Sequence, residues 1–352
     1  MRKVTVYGTV VVVLATAANL LHTVSHTGQD VLSLEAWQLA YVVGVIFIFS
    51  FPKSPRDAAG PDATRQGIAA ERWEEILEFR ATHPLEHVTV AGLSWDYIAS
   101  GEGNEALLLL PGGAMVGEAG FTRISAFEDR YRVIAPSYAH VPTAAQLLDG
   151  LTSILDAEGV RAAHVLGPSY GGLVAQCLVR RHPGRVKTLI LANTAVPPRR
   201  LLWPARIFLA LLPLVPLAWL RALRERTLAR AFSSVPSVPE EDQAFWRDYQ
   251  HELISCLSKA EMRAMYRVGI DLVERFRFTS GDLASWPGRI LILESDQDIV
   301  TPEQRAGLRR CYPRAEVHTF HGAGHTPWMS HKQEYLSVIK EFLDISRKGQ
   351  GA

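Results

Sequence analysis

The serine at position 169 has the neighbours that a catalytic nucleophile needs. It stands in Gly167-Pro-Ser-Tyr-Gly171, a G-x-S-x-G pattern with an apolar run before it and a helical pattern after it. In that context the pattern predicts a sharp strand-to-helix turn that exposes the serine hydroxyl. The same glycines also suit a plain tight turn. Since a serine attacks a carbonyl well only beside a base, the rest of the chain decides between the two.

His325 is the residue that we predict as the base. It follows the last apolar run of the chain and stands in a loop with Gly322 and Gly324. His321 competes for the role, but it stands at the end of that run, where we expect it to cap or pack. The two histidines are four residues apart, which is also a metal-ligand spacing. No third ligand accompanies them, so we predict a general base and no metal.

The acid that would orient this histidine is expected in the stretch ESDQDIVTPEQ. Asp296 and Asp298 both stand there, before a helix whose start is marked by Thr301 as its cap and Pro302 at its first position. We favour Asp298, because it is nearer to the helix start, where the loop can turn its carboxylate toward His325. Asp296 is the alternative, and either acid also suits a solvated loop.

Backbone donors for a developing oxyanion are expected after the run LLLLPGG. Gly112 and Gly113 end that run, and the helix after the serine begins near Tyr170. The free N–H groups at a helix start favour negative charge. We therefore predict an oxyanion hole from the N–H groups of Gly113 and Tyr170, a role that is compatible with a tight glycine turn.

The elements that must position these residues are predicted by apolar runs that alternate with helical patterns. Short continuous apolar runs are typical of strands buried on both faces, and strand–helix alternation predicts a parallel α/β sheet. In such a sheet ligands bind at the carboxyl ends of the strands, where every candidate stands. From Glu86, alternation around Gly92 predicts an antiparallel hairpin. The apolar runs are ALLLLPGG, YRVIAPS, AHVLGPS, VKTLILANT, RILILES and EVHTFHG.

Composition excludes several other classes of protein. The formal net charge of +1 argues against nucleic acid as a partner, and 48% hydrophobic residues allow a large core. Cys177, Cys256 and Cys311 are distant from one another and odd in number, which predicts reduced, mostly buried thiols and neither a disulfide framework nor a metal site.

The N-terminus differs from the rest of the chain. Residues 4–21 and 36–51 are apolar, and positive charge flanks the outer ends of the pair. By the positive-inside rule, 1–51 is predicted as a transmembrane helical hairpin with a cytoplasmic domain after it. A signal peptide cleaved after Ala17 is the alternative. His22 and His26 are four apart, but two ligands do not make a metal site.

The remaining boundaries follow from composition and length. Residues 52–70 are rich in Pro, Gly, Ala and charge, which predicts a linker. In the next stretch Trp73, Ile76, Leu77 and Arg80 stand near helical spacing, which predicts a short amphipathic helix that ends before Pro84. A hydrolase-type core is expected over 71–196 and 287–346, with a helical cap at 197–286 and a tail at 347–352.

The cap opens with an apolar and basic segment, which predicts either an acyl pocket with a rim against an anionic membrane or ordinary packing.

From about residue 71 to 345 the chain resembles the α/β-hydrolase superfamily. The candidates follow in the order Ser, Asp, His that belongs to this superfamily. Three stretches, FRATHPLEHVTV, YRVIAPSYAHV and HVLGPSYGGLVAQ, look like its maspardin branch. Two positions depart from the pattern: Pro111-Gly112 stands where members often carry His-Gly, and Ser295 where many carry glycine. The motifs that carry the resemblance are Gly112-Gly113, Gly167-Pro-Ser169-Tyr-Gly171, Asp298 and Gly322-Ala-Gly-His325.

The resemblance implies an α/β-hydrolase fold, a mostly parallel sheet with helices on both faces and a helical cap. It implies a serine hydrolase without metal or organic cofactor, and the serine argues against the branches that use aspartate. We expect a membrane-anchored enzyme that cleaves small-molecule or lipid-like esters or thioesters with an apolar acyl part through an acyl-enzyme on Ser169. The alternatives are a non-catalytic scaffold at the membrane and an acyltransferase or perhydrolase that uses the same serine.

Overall fold

The structure is a computed structural model that describes residues 68–349, apart from 234–237 and 239. The predicted hairpin of 1–51, the cleavage site after Ala17 and most of the predicted linker lie outside the described residues. Among the helices that are described, none has both the length and the apolar character needed to cross a bilayer.

Eight strands form one sheet in the order β1-β2-β4-β3-β5-β6-β7-β8. The six strands β3 to β8 run parallel to one another. Strand β2 is antiparallel to β4, and β1 is antiparallel to β2. The predicted hairpin and the six predicted strands form, but β8 lies at the edge of the sheet and is not buried on both faces, since Val317 is 43% exposed. The strands are β1 Glu86–Val90, β2 Leu93–Ser100, β3 Ala106–Leu109, β4 Arg132–Pro136, β5 Ala163–Pro168, β6 Val186–Ala192, β7 Arg289–Ser295 and β8 Glu316–Phe320.

Helices cover both faces of this sheet, because alternate strand residues join two different apolar clusters. Leu108 packs in one cluster, while its strand neighbours Leu107 and Leu109 pack in the other. The helices of the core are α1 Ile68–Thr82, α2 Phe121–Phe127, α3 Ala144–Ala157, α4 Tyr170–Arg181, α9 Pro302–Cys311, α10 Pro327–Ser330 and α11 Lys332–Gly349.

Helix α1 begins at Ile68, inside the predicted linker, and contains the predicted amphipathic helix. Trp73, Ile76 and Phe79 are buried, whereas Leu77 is 53% exposed. Leu77 is one turn after Trp73 and so lies at the border of the buried face, on the side away from Phe79.

Four helices lie between β6 and β7, where the sequence predicts a cap. They are α5 Leu202–Leu211, α6 Leu217–Ser233, α7 Glu240–Ser255 and α8 Lys259–Arg275. Helix α8 begins with a capping box in which Ser258 and Glu261 exchange hydrogen bonds. Helix α7 contributes Phe245, Trp246 and Tyr249 to the cluster on one sheet face, so this cap helix is joined to the core by aromatic packing.

Candidate active site

Ser169 lies on a strained turn between β5 and α4. Its φ of 51° and ψ of −117° are unusual for a residue with a side chain. Such a conformation costs on the order of 1–3 kcal/mol and persists only where the surrounding structure enforces it. Here the backbone N–H of Ser169 donates to the carbonyl of Ala192 at 2.8 Å, and the Thr194 hydroxyl donates to the carbonyl of Ser169 at 2.8 Å. The end of β6 therefore holds the turn in place.

Gly167 of the motif and Gly172, which follows the motif, are required by close packing. A Cβ at Gly167 would lie 2.4 Å from the carbonyl oxygen of Gly171, and a Cβ at Gly172 would lie 2.5 Å from Cγ2 of Thr194. Both distances are too short for any side chain. Helix α4 therefore packs closely against Thr194, which follows the neighbouring strand β6.

His325 lies in the loop between β8 and α10, with its ring between Ser169 and Asp298. Its Nε2 is 2.9 Å from the Ser169 Oγ, and its Nδ1 is 2.6 Å from Oδ1 of Asp298. With the ring proton on Nδ1, that N–H donates to the carboxylate and Nε2 accepts the serine hydroxyl. The three side chains therefore form one hydrogen-bonded line from hydroxyl to carboxylate.

Asp298 lies in the loop between β7 and α9, and its side chain is fully buried. Burial would raise the pKa of this carboxyl, but hydrogen bonds from His325, Asn193 and the N–H of Val300 outweigh burial and hold the pKa below its usual value. The Asn193 amide donates to Oδ2 at 2.8 Å. Because both oxygens accept hydrogen bonds, the carboxylate stays ionised and fixed in direction.

The alternative acid and the alternative base form a separate pair. Asp296 accepts a hydrogen bond from the N–H of Gly322 at 2.8 Å, and its other oxygen lies 3.3 Å from Nδ1 of His321. The His321 side chain is 85% exposed and the Asp296 side chain 38% exposed. This pair lies on the surface and does not include Ser169.

The loop with Gly112 and Gly113 passes beside the serine. A Cβ at Gly112 would be 3.8 Å from the Ser169 Cβ, and both glycines line the same cavity as the serine. The Tyr138 hydroxyl donates to the carbonyl of Pro111 at 3.1 Å, and Arg224 from cap helix α6 donates to the carbonyl of Gly113. The loop is therefore held by hydrogen bonds from the core and from the cap. The other predicted donor, Tyr170, is the first residue of α4.

A cavity of about 110 Å³ opens in front of Ser169 and His325. Three aromatic side chains form much of its wall: Trp246 and Tyr249 from α7 and Trp328 from α10. Trp246 and Trp328 meet edge to face with their ring centroids 4.9 Å apart. The remaining lining residues are Ala114, Ala119, Arg123, Pro168, Gln250 and Thr326, besides Gly112 and Gly113.

The opening segment of the cap was predicted either to form an acyl pocket or to pack on the rest of the protein. The cap residues that line the cavity in front of Ser169 belong to α7, which the sequence predicts only as an ordinary cap helix. Helix α5, in the opening segment, buries none of its residues, and Trp203 on it is 69% exposed. Amphipathicity alone does not say which cap helix faces the serine.

Sequence reasoning missed several residues of the site. Asn193 follows β6 and donates a hydrogen bond to Asp298. Its position at the carboxyl end of a predicted strand could have marked it as a site residue. It also donates at 2.9 Å to the Oγ of Ser295, the residue that stands where many members of the superfamily carry glycine. Arg123, Trp246 and Trp328 lie on helices and carried no comparable signal.

The three cysteines are not among the residues that contact Ser169, His325 or Asp298 in the hydrogen bonds given above. Cys177 and Cys311 are buried, Cys256 is exposed, and all three are free. Within the described ranges, no three His, Cys, Asp or Glu side chains are grouped as metal ligands. The arrangement around Ser169 has the donors and acceptors for nucleophilic attack with proton transfer.

Comparison with known proteins places this geometry in a family. The model of the alpha/beta hydrolase family matches residues 107–338, a range that contains Ser169, Asp298 and His325. The chain belongs to the alpha/beta hydrolase family. The narrower likeness to the maspardin branch stays a prediction.

Individual alpha/beta hydrolases resemble the chain over much of its length. A 2-hydroxymuconate semialdehyde hydrolase of Pseudomonas putida is 23% identical over 272 residues, which are 73% of this chain and 92% of that protein. A pimeloyl-[acyl-carrier protein] methyl ester esterase of Chromobacterium violaceum is 28% identical over 207 residues, 56% of this chain and 76% of that protein. A crystal structure of a hydrolase from Pseudomonas aeruginosa superposes with a TM-score of 0.60 at 20% identity, covering 74% of this chain and 98% of that one. The family and these relatives support a hydrolase.

Proposed function

We propose that the protein is a membrane-anchored serine hydrolase that cleaves an ester or thioester through an acyl-enzyme on Ser169. The observation that carries the proposal is the hydrogen-bonded line of Ser169, His325 and Asp298, with separations of 2.9 Å and 2.6 Å. Both distances lie within the reach that proton transfer in catalysis requires. The line also favours an enzyme over a scaffold, because a binding protein has no need of a base beside a strained serine.

In the first half of the proposed reaction, the Ser169 hydroxyl attacks the carbonyl carbon of the substrate and His325 Nε2 takes the hydroxyl proton. The imidazolium that forms is stabilised by the buried carboxylate of Asp298. The carbonyl oxygen becomes an oxyanion that accepts hydrogen bonds from the N–H groups of Gly113 and Tyr170. Loss of one such donor typically lowers the rate by ~10²–10³.

In the second half, the tetrahedral intermediate collapses and the leaving group takes the proton from His325. The acyl group is then bound to the Ser169 Oγ as an ester. A water molecule gives its proton to His325 and attacks this ester, and the acid product leaves as the proton returns to the serine. Atoms and charges balance without a metal or an organic cofactor.

The aromatic wall of the cavity supports a substrate with an apolar part. Trp246, Tyr249 and Trp328 offer ring surface at the site of attack. One relative carries the name of a methyl ester esterase, which agrees with ester cleavage as the reaction class. We propose an ester or thioester whose acyl part packs on these rings.

The membrane anchor rests on the sequence of residues 1–51. Two apolar segments with positive charge at their outer ends support two spans and a cytoplasmic catalytic domain. Exposed apolar side chains on the cap, Trp203, Leu214 and Trp219 among them, are 69%, 67% and 44% exposed and suit contact with a lipid surface.

A hydrolysis assay on separated membrane and soluble fractions tests both halves of the proposal. The full chain is expected to release 4-nitrophenol from 4-nitrophenyl butyrate in the membrane fraction, and Ser169→Ala to lose this activity by at least ~10⁴-fold. Ser153→Ala is the matched control, because Ser153 lies on helix α3, donates to the carbonyl of Asp149 and does not line the cavity. Activity in Ser169→Ala equal to the control would contradict the nucleophile, and activity in the soluble fraction would contradict the anchor. Added hydroxylamine or an alcohol separates transfer to water from transfer to another acceptor.

A further inference from the structure

Arg123 is a buried cation at the wall of the cavity. It lies on α2, is 7% exposed and lines the same cavity as Ser169. One terminal nitrogen donates to the carbonyl of Ala119 at 3.1 Å, and the guanidinium lies over the ring of Trp328 at 4.7 Å from the ring centroid. Its Nε–H is buried and makes no hydrogen bond of ordinary geometry, although the buried Tyr335 hydroxyl is close enough to favour the charged guanidinium. A guanidinium has five N–H donors, so much of its capacity is unused.

No carboxylate of the described chain neutralises this charge. Among the ion pairs of the described residues, none includes Arg123, whereas the part-buried Arg180 pairs with Asp282 at 3.2 Å and Arg185 pairs with Asp156 at 2.7 Å. Burial lowers the pKa of Arg123 and outweighs the favourable interaction with the Tyr335 hydroxyl. A buried cation without an anion is costly, and such a group is usually retained because something pairs with it.

Two further unpartnered donors belong to residues that line the same cavity. The amide nitrogen of Gln250 on α7 and the hydroxyl of Thr326 are buried, and neither makes a hydrogen bond. Gln250 is 4% exposed and Thr326 is 5% exposed, and both line the cavity with Arg123. Since buried polar atoms are nearly always hydrogen-bonded, three groups of unused donors around one cavity point to an absent acceptor.

The electrostatic surroundings of the cavity favour an anionic acceptor. Arg224 reaches the Gly113 carbonyl from the cap and is also without an acid partner in the described ion pairs. The nearby acids are already engaged: Asp298 is bonded to His325, and Glu118 accepts from Arg80 at 2.7 Å and from Tyr249 at 3.0 Å. Arg123 and Arg224 are therefore two cations near the site that no acid in the ion pairs of the described residues neutralises.

We propose that Arg123 and Gln250 form a subsite for a carboxylate that the substrate carries a few bonds from the scissile carbonyl. The guanidinium donates to the carboxylate from the core side and the amide of Gln250 from the cap side, while the apolar stem of the substrate packs on Trp328 and Trp246. The inference rests on the proposed function in so far as the ligand is a substrate of the enzyme. Binding of a carboxylate at the subsite can nevertheless be measured without turnover.

Binding without turnover is measured on Ser169→Ala. Monomethyl glutarate and methyl pentanoate differ only in a carboxylate in place of a methyl group, and quenching of tryptophan fluorescence reports their binding beside Trp246 and Trp328. We expect the carboxylated ester to bind at least ~10-fold more tightly, since its carboxylate accepts charge-assisted hydrogen bonds and the methyl group accepts none. The double variant Ser169→Ala/Arg123→Met is expected to lose this preference. Arg130→Met, an arginine on the outside of the molecule, is expected to keep it.

A second pair of esters, 4-acetoxybenzoate and 4-methylphenyl acetate, places the carboxylate on the leaving group. The wild type is assayed for hydrolysis of both pairs of esters. In either pair, a preference of ~10-fold in kcat/KM for the charged ester supports the subsite. Gln250→Met is expected to reduce the preference less than Arg123→Met does. Thermal unfolding of every variant shows that it is folded, and if Arg123→Met does not fold, Arg123→Lys and Gln250→Met carry the test.

The outcomes separate this inference from the proposed function. Equal binding and equal rates for charged and neutral esters, in wild type and in the Arg123 variants, would overturn the subsite and leave ester hydrolysis intact. Absence of hydrolysis by the wild type, together with an Arg123-dependent preference in binding, would overturn the proposed function and leave the subsite intact.

Discussion

Two aspartate–histidine pairs lie side by side at the carboxyl end of the sheet, and they differ in almost everything except residue type. Asp298 and His325 have side chains that are 0% and 9% exposed, and the histidine contacts the Ser169 hydroxyl. Asp296 and His321 are 38% and 85% exposed and contact each other and the backbone of Gly322. The same two loops supply both pairs.

The environment of an acid–base pair, and not its residue types, therefore gives the pair its role. The buried pair is fixed by partners on three elements: Asn193 after β6, Val300 before α9 and Ser169 after β5. An exposed ion pair has few such restraints and contributes little, because water and salt screen its charges.

The largest effect is expected from the histidines. His325→Ala removes the proposed base and is expected to lower kcat/KM for 4-nitrophenyl butyrate by at least ~10⁴-fold. His321→Ala is expected to stay within ~2-fold of wild type, because its ring makes no contact with the serine. Steady-state kinetics of the two variants decides this, and comparable losses in both would show that the exposed pair takes part in the reaction.

The acids are expected to differ by a smaller factor. Asp298→Asn preserves the shape of the side chain but removes the charge that orients and stabilises the histidine, so kcat is expected to fall by ~10³–10⁴. Asp296→Asn is the matched change in the exposed pair and is expected to have no measurable effect on kcat. If Asp296→Asn is the slower variant, we have assigned the wrong acid.

Asn193 is expected to act through Asp298. Asn193→Ala removes the donor to Oδ2 and leaves that buried oxygen without its side-chain partner, so we expect kcat to fall by ~10-fold with KM nearly unchanged. Asn193→Asp keeps the size but adds a negative charge beside Asp298 and is expected to be worse than alanine. A change confined to KM would instead indicate that Asn193 contacts the substrate.

The smallest effect is expected in the dependence of stability on pH. The folded pKa of Asp298 lies below its usual value, so its contribution to stability is present above the unfolded pKa and is lost as the pH falls through the folded pKa. Urea unfolding at a series of pH values below 5 is expected to show a shallower loss of stability in Asp298→Asn than in wild type. Ser169→Ala keeps the carboxylate and is expected to follow wild type; parallel curves for all three would contradict the assignment.

The fold could be predicted from the sequence because its signals are local. Runs such as VKTLILANT have the length and branched residues of a buried strand, and β6 forms over Val186–Ala192. The capping box that begins helix α9 was visible in the residues themselves, and Thr301 and Gln304 make its two hydrogen bonds. Periodicity and caps need only neighbours in sequence.

The wall of the cavity could not be predicted, because it depends on contacts between distant segments. Trp246 and Trp328 are 82 positions apart, and no local pattern brings their rings together. The buried side of α1 shows the same limit on a small scale, since Phe79 and Leu77 suit a helical stripe about equally by residue type. The choice of Asp298 depended on the direction of a loop, which the sequence only suggested through the position of the helix start.

The most direct test of the central claim is covalent labelling of the serine. The full chain and Ser169→Ala are treated with a fluorophosphonate probe, digested and examined by mass spectrometry, with circular dichroism to show that both are folded. We predict one modified peptide in the wild type, the one that contains Ser169, and none in Ser169→Ala. A folded wild type that takes up no probe, or a variant that is labelled as fully as the wild type, would contradict the assignment of Ser169 as the nucleophile.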